Sequence, residues 1–126
     1  MKKILLLAIF AIGIVFASNA KEVYCEILGT YLNITASRIR IEVDFGEEQR
    51  NRWSNENVLY DSSGKPMKFN TMVDALNYLS QFGWKFKSAY YVGLTNSQVV
   101  HWLMSKEVEN DEEIKEGIIQ KRDQKY

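Results

Sequence analysis

The chain has 126 residues, a length that suits one domain with its own hydrophobic core. Sixteen basic residues balance sixteen acidic ones, and two of the basic residues are Lys2 and Lys3. The rest of the chain is slightly acidic, with 14 basic and 16 acidic residues, which argues against nucleic acid as a partner.

The first twenty residues have the pattern of a cleavable export signal. Lys2 and Lys3 precede an apolar run over residues 4–16, and small residues follow at 17–20. The run is shorter than the roughly 20 residues that a membrane-spanning helix needs. Cleavage after Ala20 is favoured over cleavage after Ala17, and an uncleaved anchor is the alternative. The pattern predicts an exported protein, either periplasmic or secreted.

Two strands are predicted next, over residues 22–30 and 38–45. The second alternates strictly between apolar and charged side chains. Its apolar face consists of Ile39, Ile41, Val43 and Phe45, and its charged face of Arg38, Arg40, Glu42 and Asp44. Such alternation predicts one buried face and one face in water.

A polar loop over residues 46–56 contains Trp53 and leads to a predicted short hairpin. The hairpin arms are residues 58–61 and 67–69, and the turn between them contains Gly64 and Pro66.

The segment after residue 70 predicts a helix. Thr71 and Asp74 have the spacing of a capping box, and an acid in the first turn suits the helix dipole. One apolar stripe is formed by Met72, Ala75, Leu76, Leu79 and Phe82. Gly83 supplies a left-handed stop, after which Trp84 packs back onto the helix.

Residues 84–93 and 99–106 are the last predicted strands, and the second is apolar on both faces, as in a central strand. Alternation in the first strand predicts one face with Trp84, Phe86, Ser88, Tyr90 and Val92, and another with Lys85, Lys87, Ala89 and Tyr91. The predicted fold class is α+β. It comprises an antiparallel sheet of about four main strands plus a short hairpin, with one helix packed on one face.

Residues 107–126 differ in composition from the rest of the chain. An acidic block at 107–113 precedes a basic stretch, and the candidate anchors are Ile114, Ile118 and Ile119. We predict a charged tail, either a frayed helix or disordered, with docking of the isoleucines on the sheet as the alternative. The chain then divides into a signal peptide (1–20), an α+β domain (21–106) and a tail (107–126).

The helix and the corner after it resemble a known group of domains. Residues 72–86 combine Leu76-Asn77 with a Gly-Trp corner at Gly83 and Trp84. With the export signal, Tyr-Cys-Glu at 24–26 and Val-Asp-Phe-Gly at 43–46, the chain resembles small exported proteins of unknown function from Gram-negative gut anaerobes. The resemblance covers about residues 22–106. It implies a fold and no activity, so no functional residue is carried over.

Catalytic and metal-binding patterns are weak. His101 is the only histidine and Cys25 the only cysteine, so an internal disulfide is impossible and few metal ligands are available. A Cys25–His101 nucleophile pair requires the first and last strands to be adjacent, and both residues lie mid-strand, where catalytic groups are poorly exposed. Cys25 alternates with apolar neighbours, which favours a small buried hydrophobe. The acidic block lacks the glycine turn of a calcium loop. We predict no enzyme, no metal and no cofactor.

The aromatic side chains are the remaining indication of function. Their number exceeds what a core of this size requires: Tyr24, Trp53, Tyr60, Tyr90, Tyr91 and Trp102. Flat rings beside basic residues suit recognition of proteins or glycans, although the rings could instead fill the core. Our first hypothesis is a non-enzymatic domain that binds another exported or envelope protein through the open sheet face. The predicted binding residues are Arg40, Lys87, Tyr91, His101 and Trp102.

Two other hypotheses stay open. A small-ligand or glycan binder would use an aromatic cleft near Trp53 and Trp102. A self-associating envelope protein would pair an uncovered edge strand with a copy of itself.

Overall fold

The computed structural model describes residues 19–31, 39–48, 55–94 and 97–124. Within these ranges the strands are β1 (Lys21–Tyr31), β2 (Ile39–Asp44), β3 (Leu59–Tyr60), β4 (Lys85–Leu94), β5 (Ser97–Val108) and β6 (Ile119–Gln120). One helix, α1 (Met72–Ser80), lies between β3 and β4, and two 3-10 turns cover Asp111–Glu113 and Lys121–Asp123.

The main sheet has four strands in the order β2-β1-β5-β4, and each neighbouring pair is antiparallel. Strands β3 and β6 form a separate two-stranded sheet. This architecture confirms the predicted α+β class, with four main strands, a short hairpin and one helix. The main strands end within two residues of their predicted bounds, because their apolar periodicity is strong.

The register of the sheet assigns each side chain to a face, since directly opposed residues of antiparallel strands share one. Cys25 lies opposite Met104, and Gly29 lies opposite both Ile41 and Val100. These residues face α1, and Cys25, Ile41 and Met104 are buried in the core. The even-numbered residues of β1, with the residues opposite them, lie on the face without the helix, which we call the open face.

Helix α1 begins and ends as the capping pattern predicts. The Thr71 Oγ1 accepts a hydrogen bond from the Asp74 N–H at 3.1 Å, and the Asp74 carboxylate accepts one from the Asn70 N–H at 3.0 Å. Gly83 has a φ of +89°, the left-handed conformation that ends the segment. Trp84 then turns into the core and is buried.

The predicted hairpin is present and also covers the outer edge of β2. Its arms pair through the Met67 N–H, which donates to the Leu59 carbonyl at 2.8 Å. Isolated bridges join β2 to both arms, at Ile39–Phe69 and at Glu42–Val58. The β2 edge of the main sheet is therefore partly closed by this hairpin.

Strand β4 departs from regular alternation, because a β-bulge lies between Phe86 and Ser88. Phe86 faces the helix side, and Ser88, after one extra residue, faces the open side. Tyr91 lies opposite Val100 and therefore faces the helix side, which corrects its predicted place on the open face. Tyr90 takes the open-face position instead.

Residues 107–124 are folded, which corresponds to the alternative of docked isoleucines and not to a frayed or disordered tail. Strand β5 continues to residue 108, and Ile118 packs into the core. Gln120 is fully buried, and its side-chain amide donates to the Val43 carbonyl at 2.6 Å. The Arg122 guanidinium pairs with Glu47 at 2.8 Å. The segment is held because its isoleucines and charges have partners on distant parts of the chain, which composition alone does not reveal.

Candidate functional site

Strand β4 forms one edge of the main sheet. Within the described ranges no strand pairs with its outer edge. Every residue over 85–93 is exposed. Four of these side chains are large and apolar or aromatic, and we call them the β4 surface: Phe86 (46% exposed), Tyr90 (48%), Tyr91 (56%) and Val92 (41%). Two lie on each face of the sheet, so β4 presents apolar area on both sides.

Three side chains on the open face form a connected group beside β4, which we call the Glu26 cluster. The Tyr90 hydroxyl donates a hydrogen bond to Glu26 Oε2 at 2.8 Å, and Glu26 Oε1 contacts His101 Nδ1. The rings of Tyr90 and His101 stack, with centroids 4.7 Å apart and 15° between their planes. Strand pairing brings these rings together, because Tyr90 lies directly opposite His101.

The hydrogen bonds of the Glu26 cluster have defined directions. A carboxylate oxygen only accepts hydrogen bonds, so His101 Nδ1 is the donor in its contact with Glu26. The hydrogen bond to Glu26 raises the pKa of the Tyr90 hydroxyl, because it favours the protonated phenol. Both rings are thereby held in one orientation, which reduces the entropy lost when a partner packs against them.

The predicted binding residues on the open face do not form one patch. Arg40 is exposed on β2, at the edge of the sheet farthest from β4. Lys87 lies at the bulge of β4 and pairs with Glu22 at 3.0 Å, a contact that raises the pKa of Lys87. His101 lies in the Glu26 cluster. Lys87 and His101 are therefore close to the β4 surface, whereas Arg40 is not.

The other two predicted residues, Tyr91 and Trp102, lie on the helix side of the sheet. Trp102 is half-buried and packs edge-to-face on Phe86, with ring centroids 5.3 Å apart. Tyr91 is not part of this pair, and its side chain is exposed to solvent. Helix α1 approaches the sheet near Gly29, on β1, and leaves the aromatic side chains of β4 in contact with solvent.

The geometry rules out a Cys25–His101 nucleophile pair. Strands β1 and β5 are adjacent, as that hypothesis requires. Cys25 faces the core, however, and His101 faces the open side, so the sheet separates the two groups. Burial raises the pKa of the Cys25 thiol, which disfavours the thiolate that a nucleophile needs. Cys25 is a small buried hydrophobe, as predicted.

The predicted aromatic cleft stays a prediction, because Trp53 lies outside the described residues. Trp102 is engaged with Phe86, as described above. The described part of the chain contains a cleft of about 270 Å³ at the opposite edge of the sheet, between β2 and the hairpin.

Two residues of the Glu26 cluster were missed by sequence reasoning, namely Glu26 and Tyr90. Glu26 carried a weak signal, as a single acid between apolar neighbours in a predicted strand. Tyr90 was counted among the surplus aromatic side chains but not among the predicted binding residues, because the bulge in β4 reverses the face that simple alternation predicts.

Comparison with protein-family models, with curated proteins and with solved structures gives no match for this chain. Among the described residues, no group of histidine, cysteine or acidic side chains has an arrangement that could hold a metal ion. The same residues contain no helix with the length and apolar character required to cross a membrane. The candidate site is therefore argued from the positions and contacts of the described residues alone.

Proposed function

We propose that this chain is a non-enzymatic exported domain that binds another exported or envelope protein through the β4 surface. The observation that carries the proposal is the exposure of β4, which lies at a sheet edge and presents large side chains on both faces. Export is supported by the signal pattern of residues 1–20.

An extended segment of the partner fits this surface better than a globular face does. A strand added beside β4 would satisfy the backbone groups of its outer edge, and main-chain hydrogen bonds of this kind supply affinity. Tyr91 and Phe86 on one face, and Tyr90 on the other, would contact alternate side chains of the added strand and supply specificity.

The Glu26 cluster gives the open side of this interface a fixed shape. Tyr90 is held by Glu26 and by its stack on His101, so less conformational freedom is lost on binding. The interface is centred on the sheet edge at β4. The sequence predicted an interface on the open face, around Arg40, Lys87 and Tyr91. The proposed interface lies at the β4 edge of the sheet instead.

The proposal is tested by photo-cross-linking in the cells that produce the protein. A photoreactive amino acid replaces Tyr91 in the tagged full chain, and Val73 on α1 serves as the matched control because it is 54% exposed. We expect one reproducible adduct from position 91 and none from position 73. Equal labelling from both positions, or no adduct from either, contradicts the proposal. An adduct with the same chain alone assigns β4 to self-association instead.

Affinity for the purified partner gives the quantitative test. Aromatic residues at the centre of interfaces often contribute more than ~1.4 kcal/mol, so Tyr91→Ala is expected to weaken binding about tenfold or more. Val73→Ala should leave affinity unchanged. Both side chains are exposed, so circular dichroism and thermal unfolding should be close to wild type for each variant.

A further inference from the structure

Strand β4 has few interactions that fix its register on β5. Where one face of a strand is buried, a shift by one residue would move that face into water, so the register is strongly specified. In β4 every residue over 85–93 is exposed, so a shift after the bulge moves no buried side chain over this range into water. The contact of Phe86 with Trp102 lies before the bulge and is compatible with a second register.

The bulge defines what the second register is. Phe86 lies opposite Met104 and Ser88 opposite Leu103, so Lys87 has no partner on β5, and we call this arrangement the bulged register. In the regular register, which lacks the bulge, Lys87 lies opposite Leu103. Each later position of β4 is then taken by the preceding residue. The connection from β4 to β5 lengthens from two residues to three, and both lengths are common in hairpins.

The regular register exchanges the faces of the two tyrosines. Ala89 takes the place of Tyr90 opposite His101, and Tyr90 takes the place of Tyr91 on the helix side. Tyr91 then turns to the open side. The hydrogen bond from Tyr90 to Glu26 and the stack of Tyr90 on His101 are lost, so the ring that the Glu26 cluster holds in the bulged register is released.

Lys87 has a carboxylate partner in each register. In the bulged register its ammonium group pairs with Glu22 at 3.0 Å, which spans the distance from β4 across β5 to β1. In the regular register Lys87 lies opposite Leu103, and Glu26 lies opposite Leu103 on the other side. The same span then joins Lys87 to Glu26. This ion pair replaces the hydrogen bond that Glu26 accepts from Tyr90 in the bulged register.

We propose that β4 exchanges between these two registers, and that the bulged register is the one that presents the β4 surface described above. The register then sets which tyrosine faces which side. A partner that contacts the Tyr90 ring on the open face binds the bulged register more tightly and shifts the population towards it. This link rests on the proposed function, whereas the two registers are a property of the free chain.

The test is NMR of the full chain, in which opposed residues of antiparallel strands give contacts between backbone protons. The double variant Glu22→Gln with Tyr90→Phe removes an ion pair and a hydrogen bond of the bulged register and none of the regular one. We expect a contact between Ala89 and His101 to appear beside the contact of His101 with position 90. The ratio of the regular to the bulged register, measured by saturation-transfer NMR, should rise at least fivefold over the wild type.

Lys85→Gln is the matched control, because Lys85 precedes the bulge and lies opposite Ser105 in both registers. It should leave the ratio unchanged. A double variant that keeps only the contacts of the bulged register, or that loses the contacts of β4 with β5 altogether, overturns the proposal, and so does an equal change in the control. Since this measurement needs no partner, failure to find a partner for β4 contradicts the proposed function and leaves the two registers standing.

Discussion

The substitution Gly29→Ala tests how closely α1 packs on the sheet. Glycine in the interior of a strand is about 0.5–1 kcal/mol less favourable than alanine, so general propensity predicts that Gly29→Ala stabilises the protein. The structure predicts the opposite. A Cβ at position 29 would lie 2.6 Å from Ile39 Cδ1 and closer still to Met72 Sδ. Overpacking of this kind typically costs about 1–3 kcal/mol, so a net loss of about 1–2 kcal/mol is expected.

Urea unfolding followed by tryptophan fluorescence measures the change, because Trp84 is buried in the same core. The matched control is Gly93→Ala, where the atoms nearest to the new Cβ belong to the exposed ring of Tyr91 and the change should stay within about 0.5 kcal/mol. A Gly29→Ala variant as stable as the wild type, or more stable, would refute the close approach of α1 to β1.

A double-mutant cycle separates this contact from a general effect. Met72→Ala alone should cost about 2–5 kcal/mol, because it leaves a cavity under α1. In the Gly29→Ala background the new methyl group occupies part of that space, so the combined cost should fall below the sum by about 1 kcal/mol. Strictly additive costs would show that residues 29 and 72 are not in contact.

Three further predictions concern single groups. Gln120→Ala removes a buried amide that donates hydrogen bonds to the Val43 and Asn57 carbonyls, so it should cost about 1–3 kcal/mol in urea unfolding; an unchanged midpoint contradicts this. Glu26→Gln should return the raised pKa of Tyr90 towards its ordinary value in a pH titration by NMR, and an unchanged pKa would show that the hydrogen bond is absent in solution. Hydrogen bonds from Ser63 and Lys65 lower the pKa of Asp61 in the folded protein. The stability that Asp61 contributes is therefore fully present above its pKa in the unfolded chain, and it is lost as the pH falls through its lower pKa in the folded protein. The stability difference between the wild type and Asp61→Asn should therefore shrink on acidification, and a constant difference contradicts the assignment.

The strands and the helix could be predicted because their information is local. Alternation in β2 and the cap at Thr71 each lie within a few residues, and both appear in the structure as expected. The C-terminal segment could not be predicted in this way. Gln120 and Arg122 owe their order to partners on β2 and on the loop at Glu47, more than 70 residues away in the chain. Long-range pairing of this kind leaves no periodic signal.

The candidate site was harder still. Lys87 and His101 lie near the β4 surface, but a single extra residue in the bulge exchanges the faces of Tyr90 and Tyr91. A prediction from alternation assigns every residue of the strand to one of the two faces in turn. In the sheet, the residue at the bulge has no partner on β5, and the local sequence does not indicate which residue this is. The contact of Glu26 with His101 depends on the register between β1 and β5, which only the folded sheet defines.

The most direct test of the central claim is hydrogen exchange of the backbone amides with and without the captured partner. Free, β4 has one edge bonded to β5 and one edge without a partner in the described ranges, so the outward amides of residues 85–94 should exchange quickly. Addition of the partner should protect these amides and leave those of α1 unchanged. Protection that falls on α1 or on the β2 edge, with β4 still exchanging quickly, would contradict an interface at β4.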